Sequence, residues 1–256
     1  KLSQAYSEQD KIRIFKCVKD ACGFDALNKM VSKTMRSWVL LSINKAIDDI
    51  YRFKDISHAF KKNNINEYHK AIDDFDIKKK RILWDRLQAK AILLLDMGNL
   101  KDSYNALMLC KKLLGSHVDG KRLGKLYNCL GNIFDEEGKY DNAIEMQEKA
   151  LKIQIEYLGH DHLDVADTYN NLGVTYSNIS NNTNITDTNR KAIDCYEKDL
   201  EITLKVLNNK KDPKVAITYG NLASVYCDDE NYDKAMKYCI IAKNIQKEVL
   251  PEEHPD

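Results

Sequence analysis

Three residues of this chain have the spacing of a phosphate-binding loop. Gly115, Gly120 and Lys121 reproduce the two glycines and the lysine of that motif. The next residue is Arg122, whereas the motif needs a serine or threonine that binds magnesium, and the segment follows a predicted helix instead of a strand. We therefore interpret these residues as a turn between two helices, without a nucleotide cofactor.

Histidines offer a second possible chemistry, metal binding or acid-base catalysis. His160 and His162 lie close together, but no set of cysteines or carboxylates nearby completes a tetrahedral metal site. The other histidines are scattered, and no Ser/His/Asp or Cys/His arrangement has local support in the sequence. The sequence predicts no metal, no cofactor and no enzymatic activity.

A third set of polar residues recurs at a fixed spacing. Three related four-residue segments contain it: Asn128-Cys129-Leu130-Gly131, Asn170-Asn171-Leu172-Gly173 and Gly220-Asn221-Leu222-Ala223. Gly173 follows Gly131 by 42 residues, and Ala223 follows Gly173 by 50. A period of this size predicts a solenoid, in which each unit buries its apolar face only against its neighbours.

The sequence of each unit predicts two amphipathic helices. Apolar or small residues lie at positions 123, 126, 127, 130, 131 and 134, which is the spacing of one helix face. A second amphipathic segment begins near Ala143, after a turn at Gly138 that is suited to end a helix. The glycines in the middle of the first helices predict close approach of a neighbouring helix. The extra residues 181–189 of the middle unit are polar, and we expect a loop there.

Helix starts have a local explanation. Asp212 precedes Pro213, so a capping carboxylate stands before a proline at the first helical position. His162 occupies the equivalent position of the preceding unit, and Asp164 then falls in the first turn, where a negative charge favours the helix dipole.

The repeated pattern resembles the tetratricopeptide repeat. Matching positions of the first helices carry Tyr, then Leu-Gly (Leu-Ala in the third unit), then Tyr or Phe, and the second helices carry Ala143, Ala192 and Ala235. The 42-residue period and the linker at 158–162 resemble the kinesin light chain type of this repeat. The linker at 250–256 is similar, and we expect it to open a further repeat. The resemblance implies an all-α, right-handed superhelical solenoid of antiparallel helix pairs.

The resemblance also implies a binding site for a protein or peptide. In this family, one side of the first helices lines a concave groove, and asparagine side chains there can donate and accept hydrogen bonds to an extended peptide. A second interpretation is that the asparagines hydrogen-bond between neighbouring helices. The predicted groove residues are Lys125, Asn128, Asn132, Asp167, Asn170, Asn171, Asn221 and Ser224. The cations of the family's carboxylate-binding repeats are absent from the matching positions.

Composition narrows the possible partners. The 256 residues have a formal net charge of +1, which argues against a nucleic-acid surface and against a polybasic membrane patch. No apolar run approaches the length of a membrane span. Seven cysteines without a paired pattern are typical of reduced thiols, which predicts a cytoplasmic protein.

We predict four regions along the chain. Residues 1–58 form an N-terminal helical region without an assigned repeat, 59–116 hold one or two degenerate repeats, 117–253 hold three full repeats, and 254–256 begin another. The predicted function is a scaffold or adaptor that binds a protein segment in its groove. The alternative is a sensor or regulatory repeat region of a larger signalling enzyme. A protein that reads RNA through helical repeats is disfavoured by the balanced charge.

Overall fold

Helices account for nearly all of the chain that the structure describes. The computed structural model describes residues 36–37, 39–45, 77–114, 119–183 and 186–249. Residues 39–45 are helical, and no strand occurs within the described ranges. The long helices are α1 (Ile77–Asp96), α2 (Leu100–Leu114), α3 (Gly120–Glu136), α4 (Tyr140–Leu158), α5 (Leu163–Thr183), α6 (Thr186–Leu207), α7 (Pro213–Asp228) and α8 (Tyr232–Val249).

Residues 120–249 form three helix pairs, as the repeated four-residue segments predict. Short connections join α3 to α4, α5 to α6 and α7 to α8, and the two helices of each pair contact each other closely. The second helix of one pair then packs on the first helix of the next, since α4 contacts α5 and α6 contacts α7. The expected all-α solenoid of helix pairs is confirmed. We call α3, α5 and α7 the first helices, and α4, α6 and α8 the second helices.

The chain divides into two compact units, residues 1–99 and 100–256. Helix α1 belongs to the first unit, and the three helix pairs, together with α2, belong to the second. The weak repeat expected around residues 59–75 lies outside the described residues, as does the linker at 250–256. The four predicted regions of the chain stay a prediction.

Two glycines of the first helices lie at close helix crossings. A Cβ atom on Gly131 would stand 2.5 Å from Cγ of Gln147, and one on Gly173 would stand 2.6 Å from the ring of Tyr196. Gln147 and Tyr196 occupy equivalent positions on α4 and α6, and both are buried. The expectation that these glycines permit close approach of a neighbouring helix is confirmed, and the neighbour is the second helix of the same pair.

The extra residues of the middle pair do not form the loop expected at 181–189. Helix α5 continues to Thr183 and α6 begins at Thr186, so the insertion mainly lengthens both helices. Thr188 and Asn189 are buried, and Nδ2 of Asn189 donates a hydrogen bond to Asp229, which follows the end of α7. The prediction was wrong because Asn189 finds its partner on the next pair, which a local reading of composition cannot show.

Helix ends follow the sequence signals closely. Gly138 has a φ of +70°, the left-handed conformation that ends α3, and the backbone N–H of Lys139 then donates to the carbonyl oxygen of Phe134 at 2.8 Å. At the start of α5, Nδ1 of His162 accepts a hydrogen bond from the backbone N–H of Asp164 at 3.0 Å, so this histidine is a helix cap.

The cap of α7 gives a first testable prediction. The side chain of Asp212 accepts a hydrogen bond from the backbone N–H of Lys214 at 2.9 Å, and Pro213 stands at the first helical position. Replacing Asp212 with alanine leaves that N–H without its acceptor, so we expect a loss of about 1 kcal/mol in unfolding free energy. Chemical denaturation measures the loss, and Asp212→Asn, which retains a capping oxygen, is expected to restore most of it. Equal stability of the alanine and asparagine variants would contradict this role.

Candidate functional site

The first helices lie side by side along one surface of the array. Helix α3 contacts α5, and α5 contacts α7, in addition to the contacts that each makes with its second helix. Among the described helices, no comparable contact joins α4 to α6 or α6 to α8. The first helices are therefore more closely spaced than the second helices, which places them on the inner side of a curved array. We call the inner side of α3, α5 and α7 the groove surface.

All eight residues predicted for the groove are on first helices. Lys125, Asn128 and Asn132 belong to α3, Asp167, Asn170 and Asn171 to α5, and Asn221 and Ser224 to α7. Seven of these residues are partly exposed, and Ser224 is exposed. None is removed from solvent, so each keeps a polar group at or near the surface.

Two of the asparagines bind each other across neighbouring repeats. Nδ2 of Asn171 on α5 donates a hydrogen bond to Oδ1 of Asn128 on α3 at 3.1 Å. Asn128 retains the donors of its Nδ2 group, and Asn171 retains the acceptor Oδ1, since neither atom has another protein partner among the described residues. The pair therefore offers one donor group and one acceptor to a ligand, which is the complement of a peptide group.

Charged residues connect the same first helices with opposite polarity at the two junctions. Nζ of Lys125 on α3 lies 3.4 Å from Oδ1 of Asp164 on α5. At the next junction the earlier helix carries the carboxylate: Lys214 on α7 donates to Oδ1 of Asp167 on α5 at 2.5 Å. Lys125 and Asp167 occupy equivalent positions, as do Asp164 and Lys214, so the sign of the pair is exchanged. These pairs are partly exposed, so we expect them to orient the helices and to contribute little to the free energy of unfolding.

A further link between α3 and α5 was not among the predicted residues. Nδ2 of Asn178 donates to Oδ2 of Asp135 at 2.9 Å. Burial raises the pKa of the Asp135 carboxyl, while the hydrogen bonds from Asn178 and Thr175 act in the opposite direction. The signal in the sequence was a pair of polar residues 43 positions apart on successive first helices, two turns beyond the Asn128–Asn171 pair.

Asn170 has a partner beneath the groove surface instead of along it. Its Nδ2 donates to Oδ2 of Asp199 on α6 at 2.8 Å. Asp199 is buried and also accepts hydrogen bonds from the hydroxyls of Thr203 and Thr218 at 3.0 and 2.6 Å. Burial raises the pKa of the Asp199 carboxyl, and the three hydrogen bonds partly counteract that effect. Asn170 is thus tied to the junction between α6 and α7, which the sequence pattern did not indicate.

Among the described residues, the groove residues of α7 have no such partners. Asn221 occupies the position equivalent to Asn171, but no hydrogen bond joins it to a described residue. Ser224 and Ile217 on the same helix are exposed, and Gly220 faces open space, with no heavy atom within 4 Å of where a Cβ would lie. The polar groups at this end of the groove surface are available to a ligand without breaking an internal contact.

Reactive chemistry has little support in the surroundings of the groove. Burial raises the pKa of the Cys195 thiol to about 11, so this cysteine stays protonated and is a poor nucleophile at neutral pH. No group of three or more His, Cys, Asp or Glu side chains is arranged to hold a metal ion within the described part of the chain. The arrangement is suited to forming hydrogen bonds with a ligand.

Comparison with protein families gives the same repeats. Residues 122–198 and 215–256 match models of the tetratricopeptide repeat. A segment of 58 residues is 40% identical to part of the protein O-mannosyl-transferase Tmtc3 of Drosophila melanogaster. That segment makes up 23% of this chain and only 6% of the transferase.

Solved structures with similar folds have low sequence identity to this chain. BtubC (BKLC) from P. vanneervenii has a TM-score of 0.59 at 20% identity, with 97% of this chain and 94% of that chain covered. The apo form of RapI has a TM-score of 0.54 at 16% identity, covering 94% of this chain and 61% of RapI. A kinesin light chain-like protein of Podosopora anserina, with nearly identical repeats, has a TM-score of 0.50 at 14% identity, covering 82% and 95%. At these identities the likeness concerns the fold.

None of the described helices combines sufficient length with sufficient apolar character to cross a bilayer.

Proposed function

Since the chain carries tetratricopeptide repeats at residues 122–198 and 215–256, we propose that it binds an extended segment of a partner protein along its groove surface. Tetratricopeptide repeats generally serve as scaffolds for protein-protein interaction. The observation that carries the proposal is the Asn128–Asn171 pair, which leaves one donor group and one acceptor without a partner among the described residues.

Peptide backbone is the ligand that such a pair fits best. An extended peptide presents an N–H and a C=O at each residue, and an adjacent acceptor and donor can satisfy both groups without selecting a particular side chain. The exposed amide of Asn221 and hydroxyl of Ser224 extend the same chemistry to α7. Specificity among partner proteins would then come from side chains next to these groups, such as the exposed Ile217.

The internal bonds of the groove residues support a rigid receptor. Lys125 and Asp167 hold the spacing of the first helices through their cross-repeat pairs, and Asn170 is anchored on the buried Asp199. A receptor whose polar groups are already positioned loses less conformational entropy on binding. The two interpretations of the asparagines are therefore compatible, since one side chain can join two helices and still contact a ligand.

A double substitution tests the proposed site. We expect Asn128→Ala combined with Asn171→Ala to weaken peptide binding by about tenfold, because two hydrogen bonds to the ligand are lost. The probe is a set of 12-residue peptides, selected from a random displayed library on the unchanged protein, with affinities measured by fluorescence anisotropy. The change in unfolding free energy is expected to stay below about 1 kcal/mol, since the lost internal bond is partly exposed.

Matched controls separate binding from folding. Asn142 and Asn244 are exposed asparagines on the second helices α4 and α8, and no hydrogen bond joins either to a described residue. Alanine at both positions should leave peptide affinity unchanged. If the groove variant binds peptides normally while its stability falls, the asparagines only hold the helices together, and this site is not the one used.

One observation favours a second candidate function. The relative from Drosophila melanogaster is named as a transferase, and the similar segment is a small part of it. This chain would then be the repeat region of a larger enzyme, with regulation or substrate selection as its role. Sequencing of the complete transcript distinguishes the two functions, because the second requires a catalytic domain in the same polypeptide.

A further inference from the structure

The asparagines at the two junctions between first helices have different partners. At the α3–α5 junction, Nδ2 of Asn171 donates to Oδ1 of Asn128 at 3.1 Å. The repeated four-residue segments place Asn170 and Asn221 at the equivalent positions of the α5–α7 junction. No hydrogen bond joins these two described residues, because Nδ2 of Asn170 donates to Oδ2 of Asp199 at 2.8 Å instead. The amides are therefore paired at one junction and unpaired at the next.

A single buried carboxylate accounts for the difference between the junctions. Asp199 of α6 is 4% exposed and also accepts a hydrogen bond from the hydroxyl of Thr218 on α7 at 2.6 Å. The equivalent residue of α4, 49 positions earlier, is Ala150. An alanine offers Asn128 no side-chain acceptor beneath the groove surface, and Asn128 bonds to Asn171 on the neighbouring first helix. The change from alanine to aspartate thus decides which partner the asparagine reaches.

The bond to Asp199 is the stronger of the two bonds that Asn170 can form. A hydrogen bond to a carboxylate is roughly twice as strong as one between neutral groups. Burial of Asp199 reduces competition from water, and the hydroxyl of Thr203 donates to its Oδ1 at 3.0 Å, which fixes the carboxylate in place. The amide of Asn170 is thus held away from Asn221.

Asn221 keeps its whole amide for a ligand. No hydrogen bond joins it to a described residue, so its donors and its acceptor are open on one side chain that no internal bond orients. An extended peptide residue presents its N–H and C=O on the same side, and one carboxamide can bond both groups. Since Asn171 at the equivalent position bonds to the preceding first helix, the amide of Asn221 belongs to the α5–α7 junction and not to the end of the described array.

We propose that Asp199 is a positioning residue of the peptide site: it binds the Asn170 amide beneath the groove surface and so leaves Asn221 as the principal contact for the peptide backbone. The inference rests on the proposed groove function and refines it. Asn170 then supports the site without touching the ligand, although it shares the groove position of Asn128. At the α5–α7 junction the peptide is held through both backbone groups of one residue.

Two single substitutions distinguish contact from support. The probe is the set of 12-residue peptides selected on the unchanged protein, with affinities measured by fluorescence anisotropy. Asn221→Ala is expected to weaken binding about tenfold, because two hydrogen bonds to the ligand are lost. Its urea midpoint should stay unchanged, since no internal bond is removed. Asn170→Ala is expected to lower the urea midpoint and to leave the affinity unchanged, and the exposed control Asn142→Ala should alter neither quantity.

A suppressor experiment tests Asp199 itself. In Asp199→Ala the amide of Asn170 loses its acceptor and is expected to bond to Asn221, which is the arrangement of the α3–α5 junction. The peptide must then displace that bond, so its affinity is expected to fall about fivefold. Asp199→Ala combined with Asn170→Ala removes the competing amide and is expected to restore the affinity without restoring stability. A merely structural role of Asp199 predicts no such recovery.

Three results would overturn the inference: full affinity in Asn221→Ala, an equal loss in Asn170→Ala and Asn221→Ala, or no recovery in the Asp199→Ala/Asn170→Ala protein when circular dichroism shows it folded. The first two need only the single variants, so they decide the matter even if the Asp199→Ala proteins do not fold. If Asn128→Ala/Asn171→Ala weakens binding while any of these results is found, the groove function stands and only this inference fails. Full affinity in that variant and in Asn221→Ala would overturn both.

Discussion

Replacing Gly173 with leucine is expected to lower the free energy of unfolding by about 3 kcal/mol. The Cβ of any side chain at this position would lie 2.6 to 2.8 Å from three atoms of the Tyr196 ring. Tyr196 is buried among Leu222, Val225 and Tyr226, so its ring has no room to move aside. The α5–α6 pair would have to separate, and equilibrium denaturation in urea measures the resulting loss.

Gly220 supplies the matched control. It also lies in the middle of a first helix, but nothing approaches the place where its Cβ would be. Gly220→Ala is therefore expected to raise stability by up to about 1 kcal/mol, through helix propensity alone. If Gly173→Leu leaves the urea midpoint unchanged, the close crossing of α5 and α6 at Tyr196 is incorrect.

Substitution of Asp199 by alanine is expected to be similarly damaging, with a loss of about 3 kcal/mol. Three neutral donors converge on this buried carboxylate: the amide of Asn170 and the hydroxyls of Thr203 and Thr218. Removal of the carboxylate leaves the Asn170 amide and the Thr203 hydroxyl without their acceptor and opens a cavity between α6 and α7. Thermal denaturation followed by circular dichroism measures the loss.

Asp199→Asn separates the hydrogen bonds from the charge. Its oxygen can accept from Asn170 and Thr218, and its amide can donate to the hydroxyl of Thr203, so the network survives without a buried charge. Burial raises the pKa of Asp199 above its ordinary value of 3.8 in the folded state. The folded state therefore holds this proton more tightly than the unfolded state, and the contribution of Asp199 to stability falls as the pH rises from 3.8 through the raised pKa.

The asparagine variant is expected to remove that part of the pH dependence. Stability of the unchanged protein should decrease relative to Asp199→Asn across this interval, and the difference should be constant at higher pH. Denaturation at a series of pH values from 3 to 8 gives the comparison, and the raised pKa of Asp135, which is present in both proteins, cancels from it. Parallel stability curves would show that Asp199 titrates alike in the folded and unfolded states.

Much of the fold followed from local features of the sequence. The repeated four-residue segments predicted three helix pairs, and α3 to α8 occupy residues 120–249. Gly131 and Gly173 were identified as close crossings because a glycine within a helix costs stability unless a neighbour needs the space. The cap by Asp212 and the end of α3 at Gly138 were also predictable, since each depends on residues within one turn of the helix.

The candidate groove was predicted only as a set of positions. Periodicity placed Asn128 and Asn171 on the same side of successive first helices, but it left open whether they would bond each other, a ligand or both. The bond between them joins residues 43 apart in the chain, and the bond of Asn170 to Asp199 joins residues 29 apart. Which acceptor each amide reaches depends on helix rotation and spacing, and these are set by packing across the junctions.

Sequence alone determined the class of molecule: an all-α array of stacked helix pairs, because a recurring spacing of large and small side chains specifies helix pairs that must stack. Tertiary structure decided what each polar residue is used for. It made helices of residues 181–183 and 186–189, which composition favoured as a loop, since Thr188 and Asn189 are buried and Asn189 bonds to Asp229 of the neighbouring repeat. It also showed that α8 exposes Met236 and Ile240 at the end of the described array. The physical reason is the same in both cases: helix formation is governed by nearby residues, whereas burial and hydrogen bonding depend on what other parts of the chain bring into contact.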